Sequence, residues 1–189
     1  MSTTIEAISG CGRCSLHESC NRIVLPNGPT KTPYMIVGDT PSLQEDAIGE
    51  AQRGQGGLML DKLLRSAGIE RDACYVTTAV KCRPQGRQPR AAEVKACRQW
   101  LDREIEEVDP KVILAIGARP AKLLLGLGSD FRLEDYLLKP EYIGAGLKVQ
   151  LMIAIKPLPM IQKGSMRHVK QVVKALTGLR NYVEKGAFC

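Results

Sequence analysis

The chain has 189 residues, 44% of them apolar, and carries a formal net charge of +7. This length suffices for one hydrophobic core and no internal repeat divides it, so we predict a single domain over residues 1–189. No apolar run approaches the roughly twenty residues of a membrane-spanning helix, and the first residues do not resemble a signal peptide. We therefore expect a monomer in the cytoplasm, or in the host cytoplasm if the source is viral, with a polyanion as its partner.

Strand-like and helical patterns alternate along the chain. A short apolar run over residues 34–37 predicts a strand, and leucines at helical spacing between residues 58 and 64 predict a helix that ends at Gly68. The later patterns predict a strand over 73–80, a helix over 91–108, a strand over 112–116, a helix over 119–125, a strand over 147–155 and a helix over 167–185. Such alternation is typical of a parallel sheet covered by helices, whose ligands bind at the carboxyl ends of the strands.

Four of the seven cysteines form two pairs that lie far apart in the sequence. Cys11 and Cys14 have CxxC spacing, Cys82 follows a strand pattern, and Cys97 lies in a helical pattern. Soft thiolates in this arrangement select zinc or an iron–sulfur cluster. The spacing favours the cluster and leaves zinc open, because a zinc ribbon more often has two CxxC pairs. The remaining cysteines have no comparable partner spacing; they are Cys20, Cys74 and Cys189.

Several motifs in a fixed order carry a resemblance to a known family. They are Cys11-x-x-Cys14-x-Leu16, Val24-Leu-Pro26-Asn-Gly28, Met35-Ile-Val-Gly38-Asp-Thr-Pro41 with Glu45-Asp46, Tyr75-Val-Thr-Thr-Ala-Val-Lys81-Cys82-Arg-Pro84, Glu93-x-x-x-Cys97 and Leu114-Ala-Ile-Gly117-Ala. With these motifs the chain resembles the family 4 uracil-DNA glycosylases, the iron–sulfur branch of their superfamily.

The resemblance implies a three-layer α/β/α sandwich with a central four-stranded parallel sheet. It also implies a structural [4Fe–4S] cluster held by Cys11, Cys14, Cys82 and Cys97, and a DNA base flipped into the crevice at the carboxyl ends of the strands. The implied base pocket comprises Gly38, Thr40, Pro41, Gln52 and Thr78.

The pocket departs from the family pattern at several positions. The family reads Gly-Glu-Ala-Pro-Gly where this chain has Gly38-Asp39-Thr40-Pro41-Ser42. The Phe that stacks on the flipped uracil falls on Gln52, the Asn that reads the uracil edge falls on Thr78, and the catalytic His falls on Lys156. Because stacking, edge recognition and the His act together, we expect ordinary uracil excision to be absent or very weak.

The scaffold motifs persist, so we expect a rebuilt pocket that acts on a flipped, modified pyrimidine by base excision or base modification. The expected catalytic residues are Asp39 and Glu45, which could position a water or act as a base, and Lys156, which could hold an anionic group or attack as a nucleophile. Two alternatives stay open. One is a catalytically inactive DNA- or protein-binding module, and the other is an ordinary uracil-DNA glycosylase with an atypical pocket.

Basic residues gather in two segments of the chain, as expected for a surface that contacts nucleic acid. From these segments we predict DNA contacts by Lys81, Arg83, Arg87, Lys163, Arg167 and His168.

Overall fold

The computed structural model describes residues 3–128, 130–136, 140–142, 150–154 and 166–185. Its helices are α1 (Thr3–Ser9), α2 (Leu16–Ser19), α3 (Leu43–Ile48), α4 (Gln55–Ser66), α5 (Ala91–Val108), α6 (Ala118–Leu125), α7 (Leu133–Tyr136) and α8 (Met166–Lys185). Its strands are β1 (Tyr34–Gly38), β2 (Cys74–Thr78), β3 (Val112–Ile116), β4 (Pro140–Tyr142) and β5 (Gln150–Ala154). None of the helices described is long and apolar enough to cross a membrane.

The five strands form one sheet in the order β2-β1-β3-β5-β4. The first four in this order are mutually parallel, which confirms the predicted four-stranded parallel sheet. The sheet also has an edge strand, β4, that runs antiparallel to β5 and was not predicted. A three-residue strand is too short to show the alternation by which strands are recognised in a sequence.

Helices cover both faces of the sheet, and the period-two alternation of side chains along the strands explains how. On one face Ile36, Val112 and Leu114 pack with residues of α4 and α8. On the other face Met35, Val37 and Ile113 pack with residues of α5 and α6. Every residue of β2 and β3 is buried, because a parallel sheet in a sandwich has no face open to water.

The eight predicted elements occur in the structure in the predicted order, and some agree in their bounds, whereas the short elements α1, α2, α3, α7 and β4 were not predicted. The bounds of α5 and β3 are those predicted from the sequence. The predicted strand over 73–80 is shorter in the structure and ends at Thr78. Ala79 and Val80 still bond to the chain that leaves β1, and only at Lys81 does the chain take a new partner, since its carbonyl accepts a hydrogen bond of 2.8 Å from the Val24 amide.

Candidate functional site

The carboxyl ends of β1 and β2 lie side by side and begin the candidate pocket. Gly38 pairs with Thr78 as the last residues of the two strands. Beyond them the two chains stay joined, because the amides of Ala79 and Val80 donate to the carbonyls of Gly38 and Asp39 at 2.8 and 3.2 Å. The first turn after β1, which contains Asp39, Thr40 and Pro41, is thus fixed beside Thr78.

Gln52 brings a third segment to this place. A Cβ atom added to Gly38 would lie 2.5 Å from Gln52 Nε2 and 3.4 Å from Thr78 Cγ2. The Gln52 backbone has a φ of 54°, in the left-handed region, and only a glycine at position 57 leaves room for its carbonyl. The structure therefore brings together Gly38, Gln52 and Thr78, which the sequence predicted to share a base pocket.

Glu45 fixes the loop that carries Gln52. Its carboxylate accepts hydrogen bonds from the Ser42 amide at 2.7 Å and from the Gln52 amide at 2.5 Å, and the first of these belongs to the capping box of α3. The residue is buried. Because both oxygens accept from backbone amides, Glu45 positions the pocket loop, and its catalytic role stays a prediction.

Asp39 faces a partner that the sequence analysis did not identify. Its carboxylate forms an ion pair with Arg119, in the first turn of α6 directly after β3, and both side chains are largely buried. Burial lowers the pKa of Arg119. The second Arg119 nitrogen donates to the side chain of Gln88. The sequence held one signal for this pair. Arg119 lies in the first turn of a predicted helix, where a cation is unfavourable next to the helix dipole unless a carboxylate lies nearby.

Thr78, which pairs with Gly38 at the end of β2, has an unusual side chain. Its hydroxyl is buried and has no hydrogen-bond partner among the residues the structure describes. Its carbonyl is engaged, because it accepts from Lys81 Nζ at 2.9 Å. A buried hydroxyl without a partner is unfavourable by about 1–3 kcal/mol, so such groups are rare unless a ligand or water completes them.

The predicted DNA contact by Lys81 is wrong. The side chain is buried, and its ammonium group lies 2.8 and 2.7 Å from the two carboxylate oxygens of Glu104. It also donates to the Thr77 hydroxyl at 2.5 Å. Lys81 was assigned to DNA because it stands in a basic stretch of sequence, but the fold turns it inward to pair with α5.

The four predicted metal ligands line one cavity. Cys11, Cys14, Cys82 and Cys97 line a small cavity of about 10 Å³ that is partly open to solvent. A small apolar cluster beneath the cavity includes Ile8, Leu16, Val80 and Trp100. As they stand, no three His, Cys, Asp or Glu side chains in the described part of the chain could hold a single metal ion.

Two N–H groups already point at these sulfurs. Trp100 Nε1 donates to Cys11 Sγ at 3.2 Å, and the Lys81 amide donates to Cys97 Sγ at 3.3 Å. Hydrogen bonds to ligating sulfurs are a regular feature of protein iron–sulfur clusters and tune their potentials. Four converging soft donors with such hydrogen bonds fit the predicted cluster chemically.

Of the other predicted DNA contacts, Arg83 and Arg87 have side chains that the structure describes, and both bond to neighbouring residues of the protein. Arg83 is half-buried and donates to the side chain of Gln85 at 2.9 Å. Arg87 is exposed and forms a bidentate pair with Glu93 at 2.9 and 2.7 Å. Arg167 and His168 belong to α8, with their side chains outside the description. Lys156 and Lys163 lie outside the described residues.

Comparison with known proteins identifies close relatives. A family model described as the uracil DNA glycosylase superfamily matches residues 25–180. The chain is 35% identical to a type-4 uracil-DNA glycosylase of Pyrobaculum aerophilum over 86% of this chain and 85% of that protein. It is 37% identical to the type-4 enzyme of Thermotoga maritima over 62% of each chain, and 34% identical to that of Archaeoglobus fulgidus over 65% of this chain and 62% of that protein.

Proposed function

Because the chain belongs to the uracil-DNA glycosylase superfamily and to its type-4 members, we propose that it is a DNA glycosylase that removes uracil from DNA. The observation that carries this proposal is the crevice at the carboxyl ends of β1 and β2. There Asp39, whose carboxylate forms an ion pair with Arg119, directly follows Gly38, and Gly38 lies beside Gln52 and Thr78. The relatives support uracil more strongly than the modified pyrimidine that the pocket substitutions predict.

Hydrolysis of the glycosidic bond transfers a water oxygen to C1′ of the sugar, while the base leaves with the bonding electrons and gains a proton. Positive charge therefore develops on the sugar, and a fixed carboxylate can stabilise it and orient the water. We assign this role to Asp39, which Arg119 holds in place. The predicted role of Lys156 is to stabilise the negative charge on the leaving base.

Recognition of the base falls to polar side chains. The Thr78 hydroxyl is both donor and acceptor, and the Gln52 amide offers two donors and an acceptor. These groups can bond to the edge of a pyrimidine, but neither supplies an aromatic stacking surface. We therefore expect uracil to be bound more weakly, and removed more slowly, than in a pocket that stacks the base on an aromatic ring.

A modified pyrimidine is the second candidate. The specific observation in its favour is the buried Thr78 hydroxyl, which has no hydrogen-bond partner among the described residues, in a residue that borders Gly38 together with the Gln52 amide. An extra polar substituent on the base would satisfy both groups, whereas uracil offers fewer atoms to bond.

The cofactor we propose is a [4Fe–4S] cluster on Cys11, Cys14, Cys82 and Cys97, with zinc as the competing outcome. When bound, the cluster would brace the loops that contain its ligands rather than take part in hydrolysis. The cysteines come from the segment before α2, from the loop after β2 and from α5, so one cofactor would join three segments of the fold. Iron and acid-labile sulfide analysis of anaerobically purified protein tests this assignment.

Mass spectrometry of free bases and nucleosides tests the reaction. The protein is incubated with DNA that contains uracil, thymine or a polar C5-substituted pyrimidine, with Asp39→Asn as the control variant. Release of uracil by the wild type but not by the variant supports the proposal. Release of only the substituted base favours the second candidate, an altered nucleoside indicates base modification, and an unchanged digest with retained DNA binding indicates a binding module.

A further inference from the structure

We propose that Lys81 is a positioning residue of the glycosylase reaction, which holds the turn after β2 in the shape that Thr78 and Asp39 both require. This inference rests on the proposed function and deepens it. The sequence predicts a DNA contact by Lys81, whereas the fold buries this side chain and directs it back to the end of β2.

The Lys81 side chain closes the turn that follows β2. Its ammonium group donates to the Thr78 carbonyl at 2.9 Å and to the Thr77 hydroxyl at 2.5 Å, so it is bonded to the last two residues of the strand. The Lys81 main chain is also held, because its carbonyl accepts from the Val24 amide at 2.8 Å and its amide donates to Cys97 Sγ at 3.3 Å. The turn is therefore fixed through both the side chain and the main chain of one residue.

The residues inside this turn hold the segment that contains Asp39. The Ala79 amide donates to the Gly38 carbonyl at 2.8 Å. The Val80 amide donates to the Asp39 carbonyl at 3.2 Å. Arg119 thus holds the Asp39 carboxylate, whereas the turn holds the Asp39 main chain. A change in the shape of the turn would move the carboxylate proposed to act in catalysis.

Thr77 and Thr78 have separate roles because side chains alternate between the two faces of a strand. The Thr77 hydroxyl lies on the α5 side, where it donates to Glu104 at 2.9 Å. The Thr78 side chain lies beside Gly38, and its buried hydroxyl has no partner among the described residues. Lys81 therefore fixes the Thr78 main chain from the α5 side without using the Thr78 hydroxyl.

The ion pair with Glu104 makes Lys81 a rigid anchor for the turn. The ammonium group lies 2.8 and 2.7 Å from the two carboxylate oxygens, and both side chains are buried. Neither charge can leave its partner without being unpaired in the protein interior, which is strongly unfavourable. Replacement of both partners by neutral side chains is often close to neutral for stability, so a double variant can lose the anchor and keep the fold.

Single-turnover base release from Lys81→Met with Glu104→Gln tests the proposal. The rate should fall about a hundredfold, as it does when a catalytic group is slightly misplaced, whereas DNA affinity should be unchanged because phosphate contacts dominate it. Leu176→Ala is the matched control for lost stability. It removes buried apolar contacts near the start of β1, beside Tyr34, and should keep the wild-type rate. A wild-type rate in the double variant would overturn the proposal.

Hydrogen exchange followed by mass spectrometry is a second readout, which needs no substrate. The Ala79 and Val80 amides should exchange about tenfold faster in the double variant, because the turn that holds them loses a charged hydrogen bond. The Ile69 amide, which bonds to the Leu64 carbonyl beyond the end of α4, is the reference and should change little. Equal acceleration of all three amides would show a global loss of stability and overturn the positioning role.

The two readouts separate this proposal from the proposed function. A wild type that releases no base from any of the DNA substrates refutes the proposed function, whereas wild-type exchange of Ala79 and Val80 in the double variant overturns the positioning role alone. If the double variant does not fold, Glu104→Gln preserves the shape of the network and removes the charge that fixes Lys81. Base release from Glu104→Gln should then be slower than from Leu176→Ala, and equal rates would overturn the proposal.

Discussion

At the scale of single residues, the pair of Asp39 and Arg119 is the feature that most affects the candidate chemistry. The two residues lie in different parts of the sequence and meet only because β1 and β3 are neighbours in the sheet. Arg119 also reaches Gln88, in the loop that leads to α5. Arg119 therefore positions Asp39, the residue proposed to act in catalysis, and connects it to the loop that precedes α5.

We expect Arg119→Met to lower the excision rate about a hundredfold, because a small displacement of a catalytic group has effects of this size. Arg119→Lys preserves a cation and should keep more of the rate. The measurement is single-turnover release of the base, with thermal unfolding as a check on the fold. In the double variant with Asp39→Asn the losses should not add, since both changes disable one unit. Additive losses would show that Arg119 acts independently of Asp39.

At the scale of elements, Glu93 joins three segments around the four predicted cysteine ligands. Its carboxylate accepts from the Arg90 amide at the start of α5, from Arg87 in the preceding loop and from the Ser15 hydroxyl next to Cys14. One buried carboxylate thus connects the CxxC segment to the helix that carries Cys97. The loss of this connection should therefore loosen the segments that contain Cys14 and Cys97.

The pH dependence of stability should report on Glu93. The hydrogen bond from Arg87 lowers the pKa of Glu93 from 4.5 to about 2, with further help from Arg90 and Ser15 against the opposing effect of burial. The folded state therefore favours the carboxylate, whose stabilisation is complete above pH 4.5 and is lost as the pH falls toward about 2.

The measurement is urea unfolding of the wild type and Glu93→Gln on both sides of pH 4.5. The advantage of the wild type should shrink on acidification. Glu106→Gln, an exposed change on the same helix, is the control. A wild-type advantage that does not vary with pH would contradict the assignment.

The pair of Lys81 and Glu104 joins the loop after β2 to α5 inside the protein. Lys81→Met should destabilise the fold by about 3–5 kcal/mol, because it leaves a buried carboxylate without its cation. Lys81→Met with Glu104→Gln removes that charge and should recover much of the loss. Chemical denaturation measures both variants. If the double variant is no more stable than Lys81→Met, the charge of Glu104 is not the source of the effect.

The elements were easier to predict than the site because their signals are local. Helix α5 is bounded by Pro89 and by Asp109-Pro110, and its bounds were predicted correctly. The ion pairs of Lys81 and of Asp39 join residues far apart in the sequence, and no local pattern shows which partner a charged side chain will meet.

At the scale of the whole molecule, the net charge of +7 overstates the cations free to bind DNA. Some arginines near the carboxyl ends of the strands already form ion pairs with carboxylates of the protein, as Arg87 does with Glu93 and Arg119 with Asp39. Arg83, beside Cys82, has only an amide partner in Gln85 among the contacts described. It is therefore the better candidate for a phosphate contact than Arg87.

We expect DNA affinity to fall steeply with salt, since each neutralised phosphate releases counterions. Arg83→Gln should reduce the log–log salt slope by about one, the value for loss of a single phosphate contact. Arg65→Gln removes the same charge at the other end of the sheet, in the last turn of α4, and should leave the slope unchanged. Fluorescence anisotropy with single-stranded and duplex DNA at several salt concentrations measures both. If both variants lower the salt slope equally, binding follows net charge alone. If Arg83→Gln keeps the wild-type slope, Arg83 does not contact a phosphate.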